Sequence, residues 1–249
     1  MRRSTEQRSR AEVEPAAGYL AWSRDPAVGL FTVLPLWLLY EFLRAFLLLD
    51  ERNGAEVLIS EVVRLVGPTA FLVLRIAFGV LVVGCALAIH RRGIPWLRVA
   101  MVTALEGSVY ALILGPLAAA LAVSSERLLR IGPLRPTLVS DLVGSLGAGI
   151  FEELVFRLVL MSLLTLLLVR VAQAWGMPRV LGLVAAILLS ALVFSLFHHV
   201  GPGAAPFTQR AFVFRTFAGV LLGSLFALRG FGVCVYCHAL YDVHYYLTA

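Results

Sequence analysis

Long apolar runs dominate this chain and limit the folds that it can adopt. A helix that crosses the ~30 Å hydrocarbon layer of a bilayer needs roughly 20 mostly apolar residues. Seven runs approach that length, at 28–49, 69–89, 99–123, 150–169, 181–200, 212–228 and 231–248. An eighth run, 137–149, contains three glycines and is either the start of a longer helix or a separate re-entrant segment. We therefore predict an all-α fold, a polytopic transmembrane bundle of about seven or eight helices.

The composition and charge narrow the class of protein further. With 60% hydrophobic and 14% charged residues, the chain has too few polar side chains to cover a water-facing surface. The net charge is +6, but all 21 basic residues are arginines and most lie between apolar runs. This placement favours charges that flank membrane helices, so we predict membrane lipids and no nucleic acid as partners. The three cysteines lie inside apolar runs and imply no disulfide framework.

The same patterns divide the chain into three parts. A polar, arginine-rich N-terminal segment spans 1–26. N-terminal transmembrane helices follow at 27–136, and a C-terminal core spans 137–249.

Ionisable residues inside the apolar runs are the candidates for function, because inserting one costs at least about 2.5 kcal/mol. Four isolated ones lie in the first half: Glu41, Arg44, Arg75 and Glu106. Snorkelling or a single interhelical pair accounts for each of these. In the second half, eight concentrate in three adjacent runs: Glu152, Glu153, Arg157, His198, His199, His238, Asp242 and His244.

The spacing of these residues sorts them into roles. Glu153 and Arg157 are four residues apart, the register in which an acid and a base meet on one helix face. Glu152 points about 100° away from Glu153, so Arg157 neutralises one carboxylate and leaves the other free. His238 and Asp242 share the same four-residue spacing. We expect three helices to bring Glu152, His198 and His238 to a similar depth in the membrane.

Several functions fit this set of groups. A carboxylate and an imidazole that hold one water, with a second imidazole and an acid near a developing oxyanion, suffice to hydrolyse an amide. The same groups could instead ligate Zn²⁺ with an open position for water. A polar network that joins helices and a pathway for protons or ions are the remaining interpretations.

Three short motifs, each in an apolar run, carry a family resemblance. They are Glu-Glu-x-x-x-Arg from Glu152 to Arg157, Phe-x-x-x-His from Phe194 to His198, and His-x-x-x-Asp from His238 to Asp242. In this order they resemble the motifs of the CPBP family of intramembrane metalloproteases. That family groups type II CAAX prenyl endopeptidases with bacteriocin-processing and self-immunity proteins. The resemblance covers about 141–242.

The resemblance implies a role for each motif residue. Glu152 and His198 activate the attacking water, while His238 and Asp242 stabilise the oxyanion. Glu153 and Arg157 support the first carboxylate. Asp242 stands where many members have Asn, and it donates a hydrogen bond only when protonated. A divalent metal such as zinc, held by Glu152, His198, His238 and Asp242, is an open possibility.

Two other patterns are given structural interpretations. Cys234-Val235-Tyr236-Cys237-His238 matches a haem-attachment pattern, but it lies in an apolar run and its histidine belongs to the third motif, so we predict no haem. The glycine-rich run 144–149 lacks the lysine and the preceding strand of a phosphate loop. We interpret it as close helix packing or a flexible entrance.

These observations predict an intramembrane endopeptidase that cleaves a membrane-associated or prenylated peptide with an activated water. The expected location is the bacterial cytoplasmic (inner) membrane. Two alternatives remain: a non-catalytic membrane scaffold or immunity protein, and a proton-coupled transporter. A lack of visible internal repeats counts against the transporter.

Overall fold

The computed structural model of the protein describes residues 18–49, 52–122, 137–200, 204 and 206–248. Nine helices lie within these ranges: α1 (Tyr19–Arg24), α2 (Pro26–Phe46), α3 (Gly54–Val66), α4 (Ala70–Arg91), α5 (Trp96–Leu121), α6 (Leu138–Ala174), α7 (Arg179–Phe197), α8 (Gln209–Arg229) and α9 (Phe231–Thr248). Residues 1–17 of the polar N-terminal segment, and the glycine-proline pairs at 132–133 and 201–203, lie outside the described ranges.

Most of the helices match the predicted membrane spans. Six helices in the described ranges are long and apolar enough to cross a membrane, namely α2, α4, α5, α6, α7 and α8. The described residues contain no strand. The predicted all-α polytopic bundle is therefore confirmed, and the chain is an integral membrane protein. The seventh predicted span, α9, is an 18-residue helix, but it is not among the six.

The ambiguous run at 137–149 is the first part of α6. This helix continues for 37 residues, about 55 Å at 1.5 Å per residue. Its middle segment, Leu154–Met161, is π-helical, a form that often occurs near functional sites. The Ser190 hydroxyl on α7 donates to the Phe156 carbonyl in this segment at 2.7 Å. Of the two interpretations, the longer helix that carries the glutamates is thus confirmed.

Helix α9 occupies the centre of the bundle. Its first nine residues, 231–239, are all buried. It packs mainly against α5 and the first part of α6. A central position for the helix that carries the third motif places that motif in the protein interior rather than against lipid.

Glycines let α9 approach its neighbours closely. A Cβ added to Gly149 on α6 would lie 2.6 Å from the backbone nitrogen of Ala239, and one added to Gly107 on α5 would lie 2.6 Å from the Tyr236 Cβ. A Cβ on Gly147 would lie 2.8 Å from the Tyr40 ring. The glycine-rich run therefore serves close packing at these positions, as predicted.

We expect Gly149→Ala to lower the stability of the protein by about 1–3 kcal/mol, because the added methyl group forces α6 away from α9. The measurement is the thermal unfolding temperature in detergent. Gly144→Ala on the same helix is the matched control, since a Cβ at Gly144 meets nothing within 4 Å. It should leave stability unchanged or raise it, because alanine favours helix over glycine by up to about 1 kcal/mol. Equal unfolding temperatures for the two variants would contradict this account of the packing.

Two of the four isolated charges form interhelical ion pairs, as predicted. Arg44 Nη1 lies 2.9 Å from Glu56 Oε1 on α3, and Arg229 Nε lies 2.6 Å from Glu106 Oε1. The Tyr19 hydroxyl also donates to Glu106. These pairs tie α2 to α3 and α5 to α8 without an unpaired charge in hydrocarbon.

A further ion pair joins the start of α2 to the end of α4. Arg92 Nη1 donates to Asp25 Oδ2 at 2.7 Å, and Asp25 also caps α2 through the backbone N–H groups of Ala27 and Val28. Burial raises the pKa of Asp25, but these hydrogen bonds and the charge of Arg92 outweigh it, so the pKa lies below its usual value. The carboxylate therefore stays charged as a cap.

Candidate active site

A cavity of about 900 Å³ lies between α5, α6, α8 and α9, and the residues just before α3, Arg52 and Asn53, also line it. Its lining includes five of the predicted site residues: Glu152, Phe194, His198, His238 and Asp242. The side chains of His198 and Asp242 are each 24% exposed, whereas those of Glu152 and His238 are 7% exposed. Two groups thus face the open cavity and two form its buried floor.

Behind this floor, Glu153 and Arg157 form the predicted ion pair. Arg157 Nη1 lies 3.1 Å from Glu153 Oε1, with angles outside hydrogen-bond geometry. Both residues have 0% exposure. The guanidinium carbon of Arg157 lies 4.2 Å from the centre of the Phe194 ring, a cation–π contact. Phe194 therefore connects the buried cation to the helix that precedes His198.

Glu153 also holds the imidazole of His238. His238 Nδ1 lies 2.7 Å from Glu153 Oε1, and because a carboxylate only accepts, Nδ1 carries the proton. The Cys234 thiol donates to the other oxygen, Oε2, at 2.9 Å. The remaining nitrogen, His238 Nε2, lies 3.8 Å from Glu152 Oε2 and 3.6 Å from Asp242 Oδ2. Glu153 therefore contacts the site through His238, whereas the resemblance implies support of Glu152.

His198 is oriented in a similar way by a backbone carbonyl. Its Nδ1 lies 2.8 Å from the Phe194 oxygen, so Nδ1 carries the proton and the neutral ring has its lone pair on Nε2. Nε2 lies 3.6 Å from Glu152 Oε2. The predicted run to 200 places His198 inside a helix. In the structure α7 ends at Phe197, so His198 is the first residue after the helix.

The carboxylate of Glu152 lies where these groups converge. Its Oε1 accepts a hydrogen bond from Asn53 Nδ2 at 2.8 Å. Its Oε2 is buried and has no hydrogen-bond partner among the described residues. The distances from Oε2 to the two imidazoles exceed a direct hydrogen bond, and at such separations a water commonly bridges the groups.

The structure therefore brings Glu152, His198, His238 and Asp242 together at the cavity. The two other histidines of the second half lie elsewhere. His199 packs against Phe207 and lies 3.4 Å from Arg215 Nη1, and neither His199 nor His244 lines the cavity.

The same four residues do not form a metal-binding group. In the described part of the chain, no three His, Cys, Asp or Glu side chains are arranged to hold a metal ion. As arranged here, the four residues do not fit the zinc site that the resemblance implies as a possibility.

The sequence carries partial signals for two further residues at the site and none for Ser190, which contacts the π-helical segment of α6. Asn53 begins α3 and is followed by Glu56, a pattern that predicts a helix start but not a contact with Glu152. Cys234 belongs to the haem-like pattern, yet its thiol is buried against Glu153. Ser190 has no distinguishing pattern, because a serine in an apolar helix is common.

The fold and the site define a class of protein, namely a polytopic helical membrane protein with a carboxylate–histidine site on an internal cavity. A family model described as type II CAAX prenyl endopeptidase Rce1-like matches residues 135–244. The match covers less than half of the chain. The matched segment is similar to that family, a family of intramembrane proteases, and it includes all seven residues of the three motifs that are predicted for the site. No curated protein and no solved structure matches the chain.

Proposed function

We propose that the protein is an intramembrane endopeptidase that hydrolyses a peptide bond with a water activated by Glu152 and His198. The observation that carries this proposal is the state of Glu152 Oε2. This atom is buried, lacks a hydrogen-bond partner among the described residues and lies within 3.8 Å of both imidazoles. A carboxylate oxygen without a partner among the described residues can accept a proton from a water, and an imidazole lone pair beside it can hold the same water.

The first step is the attack of water on the scissile carbonyl. Glu152 Oε2 accepts one proton of the water, and His198 Nε2 accepts a hydrogen bond from the other and fixes its direction. The water oxygen bonds to the carbonyl carbon, and the carbonyl oxygen becomes an oxyanion. The proton on Glu152 then moves to the leaving nitrogen, the C–N bond breaks, and the oxyanion closes to the carbonyl of a carboxylic acid as the amine leaves. The second proton of the original water, now on that acid, passes to the amine, so that a carboxylate and an ammonium group result.

His238 and Asp242 are proposed to stabilise the oxyanion. The Nδ1 proton of His238 is already donated to Glu153. His238 can therefore donate a hydrogen bond to the substrate only through a second proton, on Nε2. Asp242 Oδ2, 3.6 Å from Nε2, donates only as a carboxylic acid. Donors fixed in a site with little water stabilise such a charge more than water does, because they need no reorientation.

The cavity suits a membrane-associated peptide. Its wall combines apolar side chains with arginines and tyrosines, including Leu49, Val143 and Phe214 beside Arg52, Arg210, Arg215, Tyr241 and Tyr245. We propose a prenylated peptide as the substrate, with the lipid group among the apolar residues. The name of the matching family supports this choice.

The test is hydrolysis by the purified protein in detergent or liposomes. A prenylated CAAX-type peptide is offered to the wild type and to Glu152→Gln in water enriched in ¹⁸O. We expect the wild type to release a product with one ¹⁸O in its new carboxylate. We expect Glu152→Gln, which keeps the shape and loses the base, to be at least about 10²-fold slower.

Other results would overturn the proposal. Full activity of Glu152→Gln would remove the base from the mechanism. No turnover, together with an unchanged biological effect of Glu152→Gln, would identify a non-catalytic scaffold. Flux driven by a pH gradient in proteoliposomes, without peptide cleavage, would identify a transporter.

A further inference from the structure

Asn53 reaches the site from outside the matched segment. It lies at the start of α3, while the family match covers residues 135–244. We propose that Asn53 is a positioning residue that selects which oxygen of Glu152 acts as the base. This inference rests on the proposed function, since it concerns the same carboxylate.

The orientation of the Asn53 amide is determined by its two contacts. Its Oδ1 accepts a hydrogen bond from the Ala55 backbone N–H at 2.8 Å, as the N-cap of α3. Only the amide oxygen can accept that bond, so the NH₂ group must point the other way. Nδ2 then donates to Glu152 Oε1 at 2.8 Å. The helix cap and the contact with Glu152 therefore use the same side chain at once.

This contact differentiates the two oxygens of Glu152. Oε1 is occupied by a donor, whereas Oε2 has no partner among the described residues and faces His198 and His238. Without the donor from Asn53, the carboxylate is free to rotate about its terminal bond and to turn away from the imidazoles. A bond from a fixed neighbour removes that freedom, as is typical of residues that orient a reactive group.

Helix α3 is itself anchored, so Asn53 is a rigid donor. Glu56, one turn after Asn53, accepts hydrogen bonds from Arg44 Nη1 at 2.9 Å and from the Tyr40 hydroxyl at 2.7 Å. Tyr40 is 1% exposed and packs edge-on against Phe151, the residue before Glu152. The N-terminal helices thus form one wall of the site, and the matched segment alone would lack it.

Two substitutions separate the cap from the contact with Glu152. Serine and aspartate are N-caps about as good as asparagine, so Asn53→Ser and Asn53→Asp should preserve α3. Neither provides the amide donor. Asn53→Asp also brings a second negative charge to Glu152. Asp25→Ser, a cap replacement at the start of α2 and away from the cavity, is the matched control.

The experiment measures kcat, KM and the unfolding temperature with the same prenylated peptide. We expect Asn53→Ser to lower kcat about 10–100-fold, as large as the loss when a hydrogen-bond partner that orients a metal ligand is removed, with KM and unfolding temperature unchanged. Asn53→Asp should lower kcat further, also at unchanged KM. Asp25→Ser should keep the wild-type kcat.

Wild-type kcat in both Asn53 variants, or a change in KM alone, would overturn the inference. Failure of the proposed function can be told apart from failure of the Asn53 inference, because the former shows in the wild type or in Glu152→Gln, without any change at Asn53. If the wild type does not cleave, or if Glu152→Gln cleaves at the wild-type rate, the mechanism fails. If both behave as expected and the Asn53 variants do not, only the positioning role fails.

Discussion

Replacing His198 by alanine should lower kcat by about 10²–10⁴-fold, the usual contribution of a general acid–base group. The Nε2 atom of His198 lies 3.6 Å from Glu152 Oε2. His238 Nε2 is nearly as close, at 3.8 Å, but its side chain is buried, so among the described residues His198 is the imidazole that both approaches Glu152 and is open to the cavity. Stability should change little, because His198 follows the end of α7 and its side chain is 24% exposed. The measurement is single-turnover hydrolysis together with the unfolding temperature.

A neighbouring histidine provides the matched control for this prediction. His199→Ala removes an imidazole one residue away that packs on Phe207 and does not line the cavity. It should retain most of the wild-type activity. Added imidazole should restore part of the activity of His198→Ala, because the substitution leaves a ring-sized space open to the cavity. Equal losses in the two variants would mean that the effect is structural rather than chemical.

The sequence predicts the part of this site that depends on local spacing. Glu153 meets Arg157, and His238 approaches Asp242, because residues four apart share a helix face. The helices are also predictable, since an apolar run of about 20 residues has few alternatives in a membrane. The predicted run extends to 200, three residues beyond the end of α7 at Phe197, because the first helix-breaking residues after Phe197 are the glycines and proline at 201–203.

The remaining contacts depend on tertiary packing and have no local signal. Asn53 and Glu152 are 99 positions apart, and α3 is only 13 residues long, too short to be identified as a span. The π-helical segment is likewise not marked by any residue pattern. The spacing predicts that Glu153 pairs with Arg157 and that Glu152 points elsewhere. It does not predict the contacts of Glu153 with His238 and Cys234, or that of Glu152 with Asn53, because these contacts depend on how separate helices pack against one another.

The second large effect is expected for Arg157→Ala, which should lower the stability by about 3–5 kcal/mol. Removing one partner of a buried ion pair leaves the other charge without compensation, and that is the usual cost. Both Arg157 and Glu153 have 0% exposure, so no water can replace the lost cation. For a chain of this size, we expect the unfolding temperature in detergent to fall by about 6–20 °C. Arg157→Lys, which keeps the charge but not the planar contact with Phe194, should lose less.

Activity should fall with stability in this variant, but for a separate reason. Glu153 holds His238 Nδ1 at 2.7 Å, and Arg157 over the Phe194 ring fixes the residue whose carbonyl holds His198. The double variant Glu153→Gln/Arg157→Met removes both charges and should recover much of the lost stability, since the cost of breaking a buried pair comes from the charge that is left uncompensated. It should not recover activity, because the carboxylate that orients His238 is gone. Recovery of both together would show that the pair only stabilises the fold, whereas an unchanged unfolding temperature in Arg157→Ala would mean that the pair contributes nothing to it.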